Sequence, residues 1–305
     1  MLSSTLLQSP IAWIGVGKMG LPLITHLLNA GVVVHIYDLS TERAELSRAL
    51  GAIVHSNIQS LLLQSKYIFS SLPNDQVLMD VATSQYGVLP LAQPGSTFTD
   101  TSTVSVSASE QVAICAKHFG VNYVRVALSG NPTVAKAGQL TIMASGNQSS
   151  YELILPLLKL VGSNHFFLGN QEQARLMKLV INLMISVSAG MIAEALALGR
   201  KGGLDWQQML EVMETSAVAS PMVKYKTPIL KDRDFTSTMS AIAQTKDIDL
   251  ILDAAKIHGV PLHLTVTLKQ MYQALIAQGG GEEDYIAIVK QVERSAGLDV
   301  ESVLK

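Results

Sequence analysis

Residues 11–38, IAWIGVGKMGLPLITHLLNAGVVVHIYD, contain two short apolar runs separated by a glycine-rich turn and a segment with helical spacing. The first run, IAWI, ends at Gly15, and the second closes on Asp38. Short apolar runs bounded by glycine indicate buried strands, and the apolar spacing of LPLITHLLNAG indicates a helix. The stretch therefore predicts a strand–helix–strand unit with a glycine turn after its first strand.

The glycine turn has the spacing Gly15-x-Gly17-x-x-Gly20, and Asp38 follows 18 residues after the third glycine. In a dinucleotide site, such glycines permit a tight bend, close approach of a pyrophosphate and packing of the helix on the strand. An acidic residue after the second strand binds the adenosine ribose and disfavours a 2′-phosphate. We therefore predict NAD, contacted by Gly15, Val16, Gly17, Lys18, Met19, Gly20 and Asp38. Because Arg43 lies nearby in the sequence, NADP stays open as the cofactor. The alternative to a dinucleotide site is a tight glycine turn that only caps a helix.

Strand and helix patterns continue to alternate as far as residue 168. Further strands are expected at residues 52–55, 67–72, 96–100, 122–128, 139–145 and 165–168, with a loop at residues 129–132. This alternation predicts a Rossmann-type domain in residues 1–168, a doubly wound parallel sheet with helices on both faces. Residues 169–305 have only helical spacing, which predicts an all-α domain. Its helices include 171–202, which joins the domains, 264–278, and a last one beginning near Glu282. Asp205 and Ser220-Pro221 predict two further helix starts.

The long apolar segment 171–203 carries one polar stripe. At about 100° per residue, five polar positions fall within an arc of roughly 80°: Gln171, Arg175, Lys178, Asn182 and Ser186. A buried helix keeps such a stripe when something polar faces it, although a lysine whose stem packs and whose head reaches water is an alternative. The longest uncharged run, residues 179–193, is shorter than the roughly 20 residues that a bilayer requires. We therefore expect no membrane span.

Composition narrows the classes of partner. A net charge of −2 and a pI near 6.4 leave no basic surface for nucleic acid or an anionic membrane. The single cysteine, Cys115, excludes an internal disulfide and a thiolate zinc cluster, and the histidines lack metal-ligand spacing. The first ten residues have no basic segment followed by a long apolar one, so we expect a cytoplasmic protein that binds small molecules.

Six short motifs, taken in chain order, resemble the β-hydroxyacid dehydrogenases. They are IGVGKMG, Leu72-Pro73, Ser102-Thr103-Val104, Ser129-Gly130, Lys178-x-x-x-Asn182 and Lys246-Asp247. The family includes 3-hydroxyisobutyrate dehydrogenase, tartronate semialdehyde reductase and succinic semialdehyde reductase, and the resemblance covers nearly the whole chain. It implies an NAD(P)-dependent enzyme that transfers a hydride between its cofactor and a small 3-hydroxy acid or the corresponding semialdehyde. It also implies a homodimer or homotetramer, with the helical domain serving substrate binding and dimerisation.

By this resemblance Lys178 is the general acid or base. Hydride addition to a carbonyl creates an alkoxide, which an ammonium on a rigid helix can protonate or stabilise. In the reverse direction a neutral lysine would take the hydroxyl proton. Asn182 lies one helical turn further on the same face, where it would hold the substrate hydroxyl or orient the lysine.

The resemblance also assigns binding roles. The substrate carboxylate would be bound by Ser129, Gly130 and Asn131, as in an anion nest, and the nicotinamide and its ribose would contact Leu72, Pro73 and Thr103. Lys246 matches a lysine that reaches the cofactor from the helical domain. An ordinary turn would also explain Ser129-Gly130, and a solvated helix face would explain Lys246-Asp247.

Three positions depart from the family pattern close to the expected substrate. Asn131 replaces the third residue of a Ser-Gly-Gly loop, Arg125 begins a stretch where the family has Asp-x-Pro-Val, and Ile181 replaces the first of two asparagines. These changes bear on the identity of the substrate rather than on hydride transfer. Two alternatives stay open: an imine reductase-like enzyme of the same fold that uses no lysine, and a nucleotide-binding sensor or scaffold without turnover.

Overall fold

The computed structural model describes residues 8–300 of the chain. The chain forms two compact units, Met1–Lys178 and Leu179–Lys305, and the division lies within the long helix Gln173–Lys201. The start of this helix is tied to the first unit by Ser145, whose Oγ donates to Gln171 O and accepts from Ala174 N. These contacts explain why the first helical turns belong with the sheet.

The first unit is built on one eight-stranded sheet. Its strands are β1 (Ile11–Ile14), β2 (Val34–Tyr37), β3 (Ile53–Val54), β4 (Tyr67–Ser70), β5 (Thr97–Asp100), β6 (Asn122–Ser129), β7 (Leu140–Gly146) and β8 (Gly162–Phe167). Their spatial order is β3-β2-β1-β4-β5-β6-β7-β8. The chain thus extends outward from β1 in both directions, which confirms the predicted doubly wound arrangement.

One strand pair differs from the parallel arrangement expected from the sequence. Strands β6 and β7 are antiparallel, whereas the other neighbouring pairs are parallel. Only residues 130–139 connect these two strands, fewer than the dozen or more that a parallel crossover requires. Within this connection, the loop expected at residues 129–132 ends in a helical turn, Pro132–Lys136.

Helices cover both faces of the sheet. They are α1 (Gly20–Asn29), α2 (Thr41–Ala49), α3 (Ile58–Leu62), α4 (Asp75–Thr83), α5 (Val88–Leu91), α6 (Val106–His118), α7 (Pro132–Lys136) and α8 (Gln148–Leu158). Strand β1 shows why both faces need cover: Ile11 and Trp13 join one hydrophobic cluster, and Ala12 and Ile14 join another. Alternate side chains of a strand point to opposite faces. The turn α5 was not predicted, because four residues are too few to show helical spacing.

The second unit, in its described part, consists of helices and one isolated bridge between Ser240 and Asp284. The long helix α9 (Gln173–Lys201) enters it, followed by α10 (Trp206–Thr215), α11 (Pro221–Asp232), α12 (Ala241–His258), α13 (His263–Leu275) and α14 (Ile288–Ser295). Two helix starts predicted from capping residues are confirmed. Asp205 accepts a hydrogen bond from Gln208 N, and Ser220 accepts one from Val223 N, as N-cap side chains do.

The last two helices differ from prediction at their ends. Helix α13 passes at Leu275 into a π-helical turn, Ile276–Gly280, in which Gly279 has a φ of +90°. The final helix begins at Ile288 rather than near Glu282, after a 3-10 turn at Tyr285–Ala287. Asp284 caps this 3-10 turn, and its carboxylate is buried against Lys226. The contact with Lys226, on helix α11, could not be seen in local sequence.

Helix α9 is long and apolar enough to cross a membrane by length and composition, with a mean hydropathy of 1.9 over its best window. Of that window, 44% is buried inside the protein. The core helix of a soluble protein passes the same test, so the result gives only weak support for a membrane span.

Candidate active site

The glycine turn after β1 combines two sterically required glycines with one that is not. Gly15 has a φ of +86°, and a Cβ there would lie 2.4 Å from Ser71 O. A Cβ on Gly20 would lie 2.3 Å from Gly15 O, whereas one on Gly17 would meet nothing nearer than Arg43 Nη1 at 3.9 Å. The fold therefore requires glycine at positions 15 and 20. At Gly17 the missing side chain leaves room for a ligand beside the backbone.

Asp38 follows β2 and is oriented by two backbone amides. Val16 N donates to Oδ2 and Ser40 N donates to Oδ1, each at 2.8 Å. Each oxygen of an ionised carboxylate can accept a further hydrogen bond, and Asp38 is only half-buried. No side chain caps α1, whose N-cap residue is Met19, so the positive end of its helix dipole faces this turn and favours an anion. The turn and Asp38 together fit a dinucleotide.

The residues expected at the nicotinamide follow β4 and β5. Leu72 N donates to Ser102 Oγ at 2.8 Å, which ties the turn after β4 to the turn after β5. Leu72 and Thr103 are half-buried, and Pro73 is exposed. Because β1, β2, β4, β5 and β6 are parallel, their carboxyl ends share one edge of the sheet. Ligands of open α/β sheets bind at this edge.

The loop after β6 starts at the same edge. Gly130 has a φ of +141°, and a Cβ there would lie 2.6 Å from Leu140 Cδ2, so this position too requires glycine. Asn131 accepts a hydrogen bond from Val134 N at 3.0 Å and caps α7. The Asn131 oxygen is thus engaged within the loop. Ser129 is half-buried at the strand end.

Lys178 points to this loop. Its Nζ donates to the main-chain oxygen of Leu128 at 2.7 Å, which is the carbonyl directly before Ser129. The side chain is half-buried. The contact places an ammonium group at the start of the segment expected to bind the substrate carboxylate.

Asn182 and Lys246 belong to the second unit, where both lie beside Asp247. Asn182 is buried, and its Nδ2 donates to Asp247 Oδ2 at 2.7 Å. Lys246 Nζ lies 3.2 Å from Asp247 Oδ1. Asp247 itself is buried, so the Lys246-Asp247 pair is not a fully solvated helix face. The amide of Asn182 is oriented by a carboxylate that the sequence did not connect with it.

The structure reveals a buried charged cluster that the sequence analysis missed. Arg175 Nη2 forms a salt bridge with Asp100 Oδ2 and donates to Tyr123 OH at 3.1 Å. Burial raises the pKa of Tyr123, so its hydroxyl stays neutral beside the ion pair. The only signal for this cluster in the sequence was the place of Arg175 in the polar stripe of the long helix.

Arg125, one of the three departures, also has a buried partner. Its Nη2 forms a salt bridge with Glu172 Oε1, and its guanidinium lies 4.6 Å from the centroid of the Tyr123 ring. Gly146 makes room for it, since a Cβ there would lie 3.3 Å from Arg125 Nη1. A residue that looked like a change at the substrate is therefore paired within the first unit. In residues 8–300, no group of three or more His, Cys, Asp or Glu side chains could hold a metal.

Two family models together match most of the chain. Residues 10–169 match the NAD binding domain of 6-phosphogluconate dehydrogenase. Residues 173–292 match the NAD-binding domain of NADP-dependent 3-hydroxyisobutyrate dehydrogenase. The first match contains the glycine turn, Asp38 and the Ser129 loop, and the second begins just before Arg175.

Individual proteins extend these matches. The chain is 34% identical over 291 residues to 2-(hydroxymethyl)glutarate dehydrogenase of Eubacterium barkeri, covering 95% of this chain and 97% of that protein. The crystal structure of 3-hydroxyisobutyrate dehydrogenase from Salmonella typhimurium has a TM-score of 0.85 and 26% identity, covering 93% and 99% of the two chains. An imine reductase from Pseudomonas sp. covers the same shares at 22% identity with a TM-score of 0.63. This last likeness shows the fold alone.

Proposed function

The chain belongs to the β-hydroxyacid dehydrogenase family, and from this we infer that it is an NAD(P)-dependent oxidoreductase that oxidises a small 3-hydroxy acid or reduces the corresponding semialdehyde. The observation that carries the proposal is the 2.7 Å hydrogen bond from Lys178 Nζ to Leu128 O. This bond places the Lys178 amine, which can carry a proton, beside the loop of Ser129 and Gly130. We propose this loop as the binding site for the substrate carboxylate.

The dinucleotide would be held by the first unit. The open backbone at Gly17 would face the pyrophosphate, and Asp38 would accept hydrogen bonds from the adenosine ribose. Leu72, Pro73 and Thr103 would contact the nicotinamide side of the cofactor. When bound, NAD(P) supplies the hydride donor or acceptor. The protein supplies orientation and proton transfer.

Lys178 would carry the proton. In the oxidative direction its neutral amine takes the proton of the substrate hydroxyl as the hydride leaves the carbinol carbon. In the reductive direction its ammonium returns that proton to the oxygen, which becomes an alkoxide as the hydride arrives. Leu128 O can only accept a hydrogen bond, so it orients either protonation state of the lysine without competing for the proton.

The substrate would be anchored by its carboxylate at Ser129 and Gly130. Its hydroxyl carbon must then lie within reach of Lys178, which favours a short acid with the hydroxyl on the third carbon. Asn131 caps α7 through its oxygen, so we assign it a role in shaping the loop while its amide nitrogen contacts the carboxylate. The relative from Eubacterium barkeri is named for a hydroxy acid with two carboxylates, which makes dicarboxylic hydroxy acids part of the panel to be tested.

NAD is the proposed cofactor. The Asp38 carboxylate would repel a 2′-phosphate, while Arg43, near Gly17, is the residue that would favour NADP. The Kd values for NADH and NADPH, measured by fluorescence titration of the wild type, Asp38→Ala and Arg43→Ala, separate the effects of the two residues. We expect Asp38→Ala to weaken NADH binding and to narrow the difference from NADPH. Unchanged NADH affinity in Asp38→Ala contradicts the assignment.

The activity is tested with a panel of three- to six-carbon hydroxy acids, dicarboxylic ones included, and semialdehydes, each assayed with NAD and with NADP. Turnover of a 3-hydroxy acid supports the proposal, and a matched panel of cyclic imines tests the imine reductase alternative. Tight NADH binding without turnover of any compound would favour a nucleotide-binding sensor instead.

A homo-oligomer is the proposed assembly. Met184, Met191 and Leu198 are spaced by seven residues on one side of α9 and are 64%, 50% and 76% exposed. Apolar residues repeated at this spacing form a stripe that a second helix can cover. Light scattering of the wild type and of Met191→Lys gives the test, with a fall in mass expected for the variant. A monomeric wild type contradicts the proposal.

A further inference from the structure

The guanidinium of Arg175 is fully engaged inside the first unit. Arg175 is 1% exposed and Asp100 is 0% exposed. Besides the salt bridge to Asp100, Arg175 Nη1 donates to Ser102 O at 2.6 Å and Nε donates to Ser109 Oγ at 3.3 Å. The fork of donors on an arginine holds several groups in fixed directions, which a lysine cannot do. Arg175 therefore joins helix α9 to the end of β5.

Asp100 links Arg175 to the turns that follow β4 and β5. Its Oδ1 accepts from Ser70 Oγ at 2.6 Å and from Ser102 Oγ at 2.5 Å. Ser102 Oγ in turn accepts from Leu72 N at 2.8 Å. A continuous set of hydrogen bonds thus runs from Arg175 through Asp100 and Ser102 to Leu72. These bonds reach both turns that we assign to the nicotinamide side of the cofactor.

The same arginine precedes Lys178 by three residues on α9, so the two side chains lie on neighbouring turns of one face. Fixing Arg175 against Asp100 fixes the rotation and height of the helix at Lys178. The ammonium is then directed to Leu128 O. One ion pair therefore sets the positions of the residues assigned to the nicotinamide and to proton transfer.

Stability alone does not account for such a pair. Burying two charges costs desolvation energy that their attraction only partly offsets, and well-packed apolar residues often serve as well or better. Apolar packing does not hold groups in fixed directions as hydrogen bonds do. Hydride transfer depends on such fixed geometry, since a misplacement of about 1 Å can cost roughly 100-fold in rate.

We propose that Arg175 and Asp100 are a positioning pair for hydride transfer, which holds the Leu72 and Thr103 turns in register with Lys178. The pair touches neither substrate nor cofactor and acts through Ser102, Leu72 and the α9 backbone. This inference rests on the proposed function, because it concerns the geometry of that reaction.

The test compares Asp100→Asn and Arg175→Lys with the wild type, using the best substrate of the panel. For each protein we would measure the melting temperature, the Kd for NADH, kcat, KM and the deuterium isotope effect with substrate labelled at the carbinol carbon. We expect kcat to fall by about 10- to 100-fold, KM and the NADH Kd to change by less than about threefold, and the isotope effect to rise. The isotope effect reports that hydride transfer has become slower than product release.

Two further variants keep the result interpretable. Ser102→Ala leaves the ion pair intact but removes the hydrogen bonds of Ser102 Oγ to Asp100 and Leu72. It should lower kcat in the same way if the charge variants do not fold. The double variant Lys226→Met/Asp284→Asn removes a buried ion pair from the second unit and should leave kcat unchanged.

The outcomes separate the two proposals. If the wild type turns over a hydroxy acid and the variants lose melting temperature but keep kcat and the isotope effect, the pair is structural and the inference is overturned. Full kcat in Ser102→Ala overturns the inference as well. A wild type that is inactive with every compound overturns the proposed function and this inference together.

Discussion

Lys178 donates a hydrogen bond to the main-chain oxygen of Leu128, 2.7 Å away, although the two residues are 50 positions apart. The contact joins the long helix to the strand end that carries Ser129. It is the most direct link between the candidate proton carrier and the candidate carboxylate site.

Replacing Lys178 by Met should lower kcat by roughly 10²- to 10⁴-fold, because general acid–base catalysis contributes about that much. Lys178→Arg should be impaired as well, since a guanidinium does not deprotonate at neutral pH. Both variants should bind NADH as the wild type does, measured by fluorescence titration. Lys256→Ala, at an exposed lysine of α12, is the matched control, and equal kcat for it and Lys178→Met contradicts the assignment.

Alanine at Gly17 should weaken cofactor binding, whereas alanine at Gly15 should lower stability. Gly17→Ala meets nothing within 3.9 Å in the protein, so we expect an unchanged melting temperature and an NADH Kd raised by at least about tenfold, because the methyl group blocks the pyrophosphate. Gly15→Ala combines positive φ with a clash against Ser71 O, a strain of order 1–3 kcal/mol or more, and should lower the melting temperature. Normal NADH binding by Gly17→Ala would argue against a pyrophosphate at this turn.

A histidine pair at the edge of the sheet should make stability fall in acid. His35 Nδ1 lies 2.9 Å from His55 Nε2. Burial lowers the pKa of both, and the charge of His55 lowers the pKa of His35 further. The unfolded chain protonates histidine near the ordinary value of 6.5, so below that pH the unfolded state binds more protons and stability decreases as the pH falls.

Urea unfolding of the wild type and His55→Asn between pH 5 and 8 tests this expectation. His55→Asn should show a shallower loss of unfolding free energy below pH 6.5, because one of the two titrating groups is gone. Identical pH profiles for the two proteins would exclude the pair as the source of the acid sensitivity.

The ion pair of Lys226 and Asp284 should behave as a buried charge pair in the second unit. Both side chains have no exposed surface, and their Nζ–Oδ1 distance is 2.6 Å. Lys226→Met leaves the Asp284 carboxylate buried without its counter-charge, which should cost about 3–5 kcal/mol of unfolding free energy. Lys226→Met/Asp284→Asn should recover most of that loss. If the losses of unfolding free energy of Lys226→Met and Asp284→Asn, measured by urea unfolding, simply add in the double variant, a direct coupling is contradicted.

Local sequence was sufficient for most of the first unit. The alternation of apolar runs with helical segments predicted the doubly wound sheet, and the spacing of Gly15, Gly17, Gly20 and Asp38 predicted how the turn and β2 would meet. In the second unit, the capping residues Asp205 and Ser220 located two helix starts to the residue. These features depend on contacts within about 30 residues, which the order of residue types reveals directly.

The tertiary structure decided which distant residues become partners. Arg175 and Asp100 are 75 positions apart, Arg125 and Glu172 are 47 apart, and Asn182 and Asp247 are 65 apart. Their polarity marked some of them in the sequence, but a charge shows only that a buried partner is needed, not which residue supplies it. The sequence alone determined the fold and the kind of chemistry. Only the folded chain decided which buried ion pair holds the turns around Lys178, because that depends on distances set by the packed sheet.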